Sequence, residues 1–237
     1  MTVLLLKLAA PLQSWGVASR FARRDTQPHP SKSGILGLIA AARGRRRTDP
    51  IEDELVGLAF GVRVDQPGTL ARDFQVAVSL DERTKYPLSQ RFYLSDAKFV
   101  AAIEGERELL EGIRDVLSRP AFPLYLGRRS CPATEPLVLG ELRDDSMPAA
   151  LKDPSTWQAA RWHRRKQPRV VHLPIFRDRV DTDPIDPHTD QIRDVPISFD
   201  PRRREYGWRT VITDYTRVDN PDGHHAHHDP LSALGGS

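Results

Sequence analysis

The segment from Pro30 to Gly37 has residue types and spacing that could bind a phosphate. Ser31, Lys32 and Ser33 stand directly before an apolar stretch with helical spacing. The N-terminus of a helix presents unpaired N–H groups and a partial positive charge, to which Lys32 would add a full charge. The segment lacks the order G-x-x-x-x-G-K-[ST] of a nucleotide-hydrolysing loop. Ordinary capping by Ser31 or Ser33 explains the same residues and is the preferred interpretation.

Two further segments combine residues that could bind nucleic acid. The turn at residues 125–132 places Arg128 beside Arg129. The two guanidinium groups could bind backbone phosphates, although a solvated charged turn is the alternative. Just past the first predicted strand, Gln13 could bond to a base edge and Trp15 could stack on a base. A single tryptophan at such a place is more often part of the core.

Arginine dominates the positive charge of this 237-residue chain. The 35 Lys and Arg residues, of which 29 are Arg, stand against 32 Asp and Glu, so the net charge is +3. Guanidinium groups favour bidentate recognition of phosphate or carboxylate, and nucleic acid is therefore the first partner to consider. Basic runs at residues 45–47, 161–169 and 202–204 are expected to be exposed faces that contact phosphates without reading sequence.

Several function classes are not indicated. The single cysteine, Cys131, excludes an internal disulfide and a cysteine-based zinc finger. The apolar run at residues 3–6 is too short for a membrane span and lacks the basic start of a signal peptide, so we expect a soluble, cytoplasmic chain. Paired carboxylates, H-E-x-x-H and G-x-S-x-G are absent, and we expect neither a metal nor a cofactor. The histidines at residues 224–228 could hold a transition metal weakly, but a flexible tail explains them better.

The predicted elements position these candidate residues in one α+β unit. An apolar strand at residues 3–8 precedes a helix that begins near residue 31 and ends near Gly44. The elements that follow are alternating strands at 58–64 and 74–80 joined as a hairpin or near-hairpin by the turn at 65–68, a strand at 99–103, a helix at 109–117, and a last strand at 124–126 or 137–142. This order is close to a ferredoxin-like, RRM-like βαββαβ fold.

The composition also suggests how the chain is divided. We expect residues 1–143 to form the RRM-like domain, from which residues 81–97 project as a polar and aromatic arm. Residues 144–222 are richer in Pro, Asp and Arg and are expected to form a small β-rich region, in which strands at 170–180 and 209–218 pair. Residues 223–237 are expected to be a disordered tail.

Four segments resemble the CasD subunits of type I-E CRISPR surveillance complexes (Cascade), which belong to the RAMP superfamily. They are residues 4–16, the helix entry at 31–38, residues 91–97 and the turn at 125–132. Each segment alone would be a weak signal, but the four occur in the family's order over a little more than half of the chain. They coincide with the phosphate-binding candidates described above.

The resemblance implies a non-catalytic, RNA-binding subunit with an RRM-like fold and a β-hairpin thumb. It would cap the 5′ handle of the CRISPR RNA, beside the CasC backbone subunits and the large CasA subunit, and would meet target DNA only through the complex. Lys32, Ser33, Arg128 and Arg129 are the candidates for contacts with the RNA backbone. Gln13, Trp15, Arg91 and Tyr93 are candidates for contacts with bases or for placing the arm.

Two other functions remain open at this point. Related type I-C proteins cut precursor CRISPR RNA without a metal, using a Tyr with a neighbouring Lys–His pair. This chain contains no Lys–His dipeptide, so that arrangement cannot be transferred to it. The chain could instead be a protein scaffold whose arginines face acidic partners. A scaffold predicts assembly that is insensitive to salt, whereas handle capping should weaken steeply as salt rises.

Overall fold

The computed structural model describes residues 1–16, 23–81, 83–180, 183 and 189–224. Within these residues the strands are β1 (Thr2–Ala9), β2 (Leu12–Gln13), β3 (Arg23–Arg24), β4 (Ala59–Gln66), β5 (Thr69–Gln75), β6 (Ser89–Ser95), β7 (Lys98–Gly105), β8 (Val170–Asp178), β9 (Thr189–Ser198) and β10 (Glu205–Asp219). The helices are α1 (Lys32–Ala42), α2 (Asp53–Val56), α3 (Arg107–Ser118), α4 (Met147–Lys152) and α5 (Arg161–Arg164), with a 3₁₀ turn at Pro154–Thr156.

The predicted ferredoxin-like unit is confirmed. β7 lies between β1 and β4 and is antiparallel to both. On the other side of β1, residues 137–143 run antiparallel to it, with bridges at Leu6–Val138 and Val3–Arg143. The last strand position is therefore 137–142 and not 124–126. Helices α1 and α3 pack on one face of this sheet, over a core that includes Leu4, Leu6 and Leu8.

Strand β1 is apolar throughout because both of its faces are covered. Alternate residues Leu4, Leu6 and Leu8 enter the core beneath α1 and α3, whereas Val3 and Leu5 pack with α4 on the opposite face. A strand that is buried on both faces has a continuous run of apolar residues in its sequence. Helix α1 begins where predicted, since the Ser31 hydroxyl accepts a hydrogen bond from the Gly34 N–H at 3.2 Å.

The predicted hairpin between residues 58–64 and 74–80 is wrong. β4 pairs with β7 and β8, whereas β5 pairs with β6. The turn itself is present, but Gly68, with φ +74°, lies against Ser95, where a Cβ would stand 2.5 Å from the carbonyl oxygen. The chain leaves the first sheet there and begins a second sheet of β2, β6, β3 and β5. β5 and β6 form the hairpin that encloses residues 76–88.

The C-terminal strands continue the first sheet. β8 pairs with β4 on one side and with β10 on the other, and β9 completes the order β1-β7-β4-β8-β10-β9. The predicted pairing of residues 170–180 with 209–218 is confirmed, in the register Val211–Asp178 to Val218–Val171. Residues 225–237, which hold most of the predicted tail, lie outside the described residues.

Candidate nucleic-acid interface

A cleft of about 1660 Å³ lies between the N-terminal and C-terminal parts of the chain. One side is formed by α1, the loop after it at residues 45–47, and the turn at 123–130. The other side comes from the β9–β10 hairpin, residues 191–208. The cleft therefore draws residues that are far apart in sequence into one concave surface.

The walls of the cleft carry a large excess of positive charge. Ten arginines line it against two carboxylates, Asp25 and Glu205; the arginines are Arg24, Arg45, Arg46, Arg47, Arg91, Arg128, Arg129, Arg193, Arg202 and Arg204. Among the described residues, only Arg45 of these ten has a guanidinium group paired with a carboxylate, that of Glu52, at 2.7 Å. A concave surface of one sign focuses the electrostatic potential and attracts a polyanion.

The turn at residues 125–132 is held against the loop that follows β1. Gly127 has φ +96°, and a Cβ on it would stand 1.7 Å from the Ser14 carbonyl oxygen, so only glycine fits. The Ser14 N–H donates to the Leu126 carbonyl at 3.1 Å. These contacts place Arg128 and Arg129 at the cleft.

Arg128 and Arg129 have different environments. The Arg128 guanidinium donates to the carbonyl oxygens of Phe92 at 3.1 Å and Arg24 at 2.7 Å, and it lies 4.6 Å from the centre of the Tyr93 ring. Arg129 is exposed and has no carboxylate partner among the described residues. Arg128 therefore ties the turn to β3 and β6, and Arg129 offers its whole fork of donors to a ligand.

The N-terminus of α1 already holds an anion of the protein itself. Asp194 on β9 accepts a hydrogen bond from the Lys32 backbone N–H at 2.8 Å. Lys32 is 7% exposed, and its ammonium pairs with Asp178 on β8 at 3.0 Å. Ser33 is buried at the cleft wall, with its hydroxyl 3.3 Å from that of Ser31. The charge and N–H groups predicted to bind phosphate are thus used to hold the C-terminal strands.

Arg209 joins the two acids that meet at this helix. Its guanidinium contacts Asp194 and Asp178, each at 2.6 Å. Burial would lower the pKa of Arg209, but the hydrogen bonds and charges of the two aspartates outweigh it and raise the pKa. Nearby, the imidazole of His29 stacks on Phe176 with 4.2 Å between ring centres. Burial lowers the pKa of His29, and the charge of Arg209 lowers it further.

Trp15 belongs to the cleft wall, and Gln13 lies behind it. The Gln13 amide is buried, donates to the Ala97 carbonyl at 2.7 Å and accepts from the Trp15 indole at 3.1 Å. Trp15 is 1% exposed and packs so closely on Gly34 that a Cβ there would stand 2.8 Å from the ring. The two side chains fix the loop after β1 against α1.

Five of the eight predicted site residues come together in the cleft: Trp15, Ser33, Arg91, Arg128 and Arg129. Gln13, Lys32 and Tyr93 lie behind it, buried beneath the residues that line it. Arg91 stands on β6, beside β3, and Tyr93 supports the Arg128 guanidinium.

Sequence reasoning missed much of the C-terminal wall. Phe199, Tyr206, Trp208 and Arg193 line the cleft beside the basic run at 202–204, which was predicted only as an exposed face. No local motif marks them. The signal that could have found them is the clustering of arginine and aromatic residues within 193–208, a combination typical of single-stranded nucleic-acid binding.

Other kinds of site are not found in the part of the chain that the structure describes. No group of three or more His, Cys, Asp or Glu side chains there could hold a metal ion. No described helix is long and apolar enough to cross a membrane.

Comparison with known proteins identifies relatives of this chain. The profile of the family described as CRISPR-associated protein (Cas_Cas5) matches residues 3–212. The CRISPR system Cascade subunit CasD of Escherichia coli (strain K12) is 32% identical over 156 residues, which is 58% of this chain and 70% of that protein.

Two solved structures share the fold along nearly the whole chain. A chain of a CRISPR RNA-guided surveillance complex has a TM-score of 0.71 and 31% identity, covering 98% of this chain and 97% of that one. A Cas protein crystal structure has a TM-score of 0.62 and 31% identity, covering 94% of this chain and 98% of the other.

Proposed function

The chain belongs to the Cas5 family of CRISPR-associated proteins, and we propose that it is a non-catalytic subunit of a type I-E Cascade that binds CRISPR RNA in the arginine-lined cleft and caps its 5′ handle. The observation that carries the proposal is the cleft itself, where only one of ten guanidinium groups is paired with a carboxylate among the described residues. Arginines without acidic partners in a concave site fit a phosphate backbone, because each guanidinium can bond two phosphate oxygens.

Binding without cleavage fits the residue types in the cleft. Neither histidine nor lysine is among the described residues that line it. Cutting RNA without a metal requires a general base for the 2′-hydroxyl, and guanidinium groups stay protonated in proteins and cannot accept its proton. The ten guanidinium groups are thus suited to holding the RNA, and the described lining contains no Lys–His pair of the kind that the cutting relatives use.

The same proposal includes neighbouring subunits. CasC backbone subunits and the large CasA subunit are the proposed partners, with target DNA reached through the complex. The β5–β6 hairpin and the segment that it encloses expose apolar side chains, among them Leu70, Phe74, Val76 and Leu80. Exposed apolar groups at this density are typical of a surface that contacts protein in an assembly.

The test is binding of end-labelled CRISPR repeat RNA in EDTA, followed on native and denaturing gels. We expect intact RNA and a shift that requires the handle and weakens steeply with salt, by about 0.7 in the slope of log K against log salt per phosphate contact. Arg129→Ala should weaken binding and flatten that slope. Arg165→Ala is the matched control, because Arg165 is also exposed and lacks a described carboxylate partner but lies outside the cleft.

Two results would overturn the proposal. A discrete cut in the repeat would establish the endoribonuclease function instead. Assembly with partner subunits that is insensitive to salt and independent of RNA would identify a protein scaffold. If the isolated chain neither binds nor cuts, the same gels with the partner subunits present decide between capping and scaffolding.

A further inference from the structure

The four tryptophans of this chain fall into two pairs. Trp15 and Trp157 are 1% and 6% exposed and belong to the core clusters. Trp162 and Trp208 are 51% and 65% exposed. Only Trp208 of the exposed pair lines the cleft. An indole is a large apolar surface to leave in water, and an indole that is 65% exposed at the wall of a charged cleft is placed where a ligand can cover it.

The backbone around Trp208 departs from a regular ladder. β10 pairs with β9, but the register shifts between Glu205 and Tyr206 and again between Gly207 and Trp208. Irregularities of this kind bend a strand and redirect side chains, and they are frequent beside functional sites. The position of the Trp208 side chain therefore results from two local departures from regular pairing.

The next residue holds this strand segment in place. Arg209 is buried between Asp194 and Asp178, and its guanidinium lies 5.3 Å from the centre of the Phe60 ring. Because successive side chains of a strand point to opposite faces, anchoring Arg209 inside leaves Trp208 directed outward. The strand segment that carries the indole is thus held in place before any ligand arrives, which reduces the entropy lost on binding.

The groups around Trp208 match a nucleotide. Opposite it on β9 is Arg193, whose guanidinium donates to the Tyr206 carbonyl at 2.8 Å and also lines the cleft. Arg202 and Arg204 stand on the same wall. An aromatic face between guanidinium groups binds single-stranded nucleic acid by stacking a base and holding its phosphates. A base within a duplex has both faces covered, so the ligand must be unpaired there.

We propose that Trp208 is the stacking platform for one unpaired base of the bound RNA, and that Arg193, Arg202 and Arg204 hold the adjoining phosphates. This inference rests on the proposed function, which it deepens by assigning a base contact to the C-terminal wall. It also gives the cleft a means of preferring single-stranded RNA, because guanidinium groups alone would bind the phosphates of a duplex equally well.

Tryptophan fluorescence tests the contact directly, with the full chain and CRISPR repeat RNA as the probe. Stacking on a base should quench the Trp208 emission. Trp162→Phe should keep the quenching seen in the unsubstituted protein, and Trp208→Phe should lose it. Quenching that survives Trp208→Phe would refute the contact.

Affinity measurements provide a second test of the contact. We expect Trp208→Leu to weaken RNA binding about tenfold and Trp208→Phe to weaken it less than Trp208→Leu, because phenylalanine keeps an aromatic face. Trp162→Leu is the matched control and should bind as the unsubstituted protein does. Since Trp208 is mostly exposed, unchanged circular dichroism should accompany each variant.

The failures of the two proposals can be told apart. If Trp208→Leu binds RNA normally while Arg129→Ala weakens binding, the platform is refuted and the RNA-binding function stands. If the unsubstituted protein shows no salt-sensitive RNA binding, alone or with partner subunits, both are refuted.

Discussion

The start of α1 at residues 31–34 and the turn at residues 127–130 differ in what their cations contact. At the helix, the Lys32 ammonium faces Asp178 and the helix N-terminus faces Asp194, so its charges bind the protein's own carboxylates. At the turn, Arg128 bonds to backbone carbonyls and Arg129 has no described carboxylate partner. Both segments have residue types that suit phosphate, yet only the turn keeps its positive charge available. A basic motif becomes a binding site only where the fold does not supply its own anion.

The largest effect is expected from Gly127→Ala, which acts on the turn. Its Cβ would stand 1.7 Å from the Ser14 carbonyl oxygen, and alanine is strained at φ +96°. We expect a loss on the order of 4 kcal/mol in the free energy of unfolding, measured by urea denaturation. Gly112→Ala in α3 is the control, because no atom lies within 4 Å of its Cβ, and it should be neutral or stabilising. Equal effects of the two substitutions would contradict this account of the turn.

Asp194→Asn tests the carboxylate at the helix start. The side chain is buried and bonds both Arg209 and the Lys32 N–H. Its neutralisation therefore leaves the buried Arg209 guanidinium with only one of its two carboxylate partners charged. We expect the free energy of unfolding to fall by about 3 kcal/mol. Asp219→Asn, at an exposed ion pair with Arg217, should change it by less than about 1 kcal/mol. A harmless Asp194→Asn would show that this network does not hold the two walls together.

Arg128→Ala and Arg129→Ala should separate stability from binding. Arg128→Ala removes two hydrogen bonds to carbonyls and the contact with the Tyr93 ring, so we expect a loss of about 1–2 kcal/mol in stability as well as weaker RNA binding. Arg129→Ala should weaken RNA binding and leave the melting temperature unchanged. Melting curves and RNA titrations of the two variants test this assignment. A lower melting temperature for Arg129→Ala than for Arg128→Ala would contradict it.

The smallest expected effect is a pH dependence from His29 beside the helix start. Burial lowers the pKa of His29 from the ordinary 6.5, so the unfolded chain takes up a proton before the folded chain does. The contribution of the neutral imidazole is complete above pH 6.5 and is lost as pH falls from there towards the folded pKa. His29→Phe keeps a ring to stack on Phe176 and should reduce the pH dependence of the melting temperature between pH 7 and pH 5. His172→Gln, at an exposed histidine, should not.

Local sequence signals indicated most of the elements but not their partners. The alternation at residues 58–64 marked β4 correctly, whereas the strand predicted at 74–80 overlaps β5 only at residues 74 and 75. Alternation also does not say which strand lies alongside. Pro67–Gly68 looked like a hairpin turn, but β4 has β7 and β8 as neighbours. The helix start at Lys32 is not free to bind phosphate for the same reason, since its partners Asp178 and Asp194 are more than 140 residues away along the chain.

The sequence by itself determined the order of elements typical of the ferredoxin-like unit, the Ser31 cap, the turn that carries Arg128 and Arg129, and the family resemblance, because each follows from patterns or motifs within short stretches of the chain. The tertiary structure decided that β8 joins β4, and this junction brings β9 and β10 to the cleft. The same junction pairs Lys32 with Asp178 and places Arg193 and Trp208 in the same cleft as Arg129. The physical reason is that charge pairing and burial depend on which surfaces meet, and that is set by long-range strand pairing.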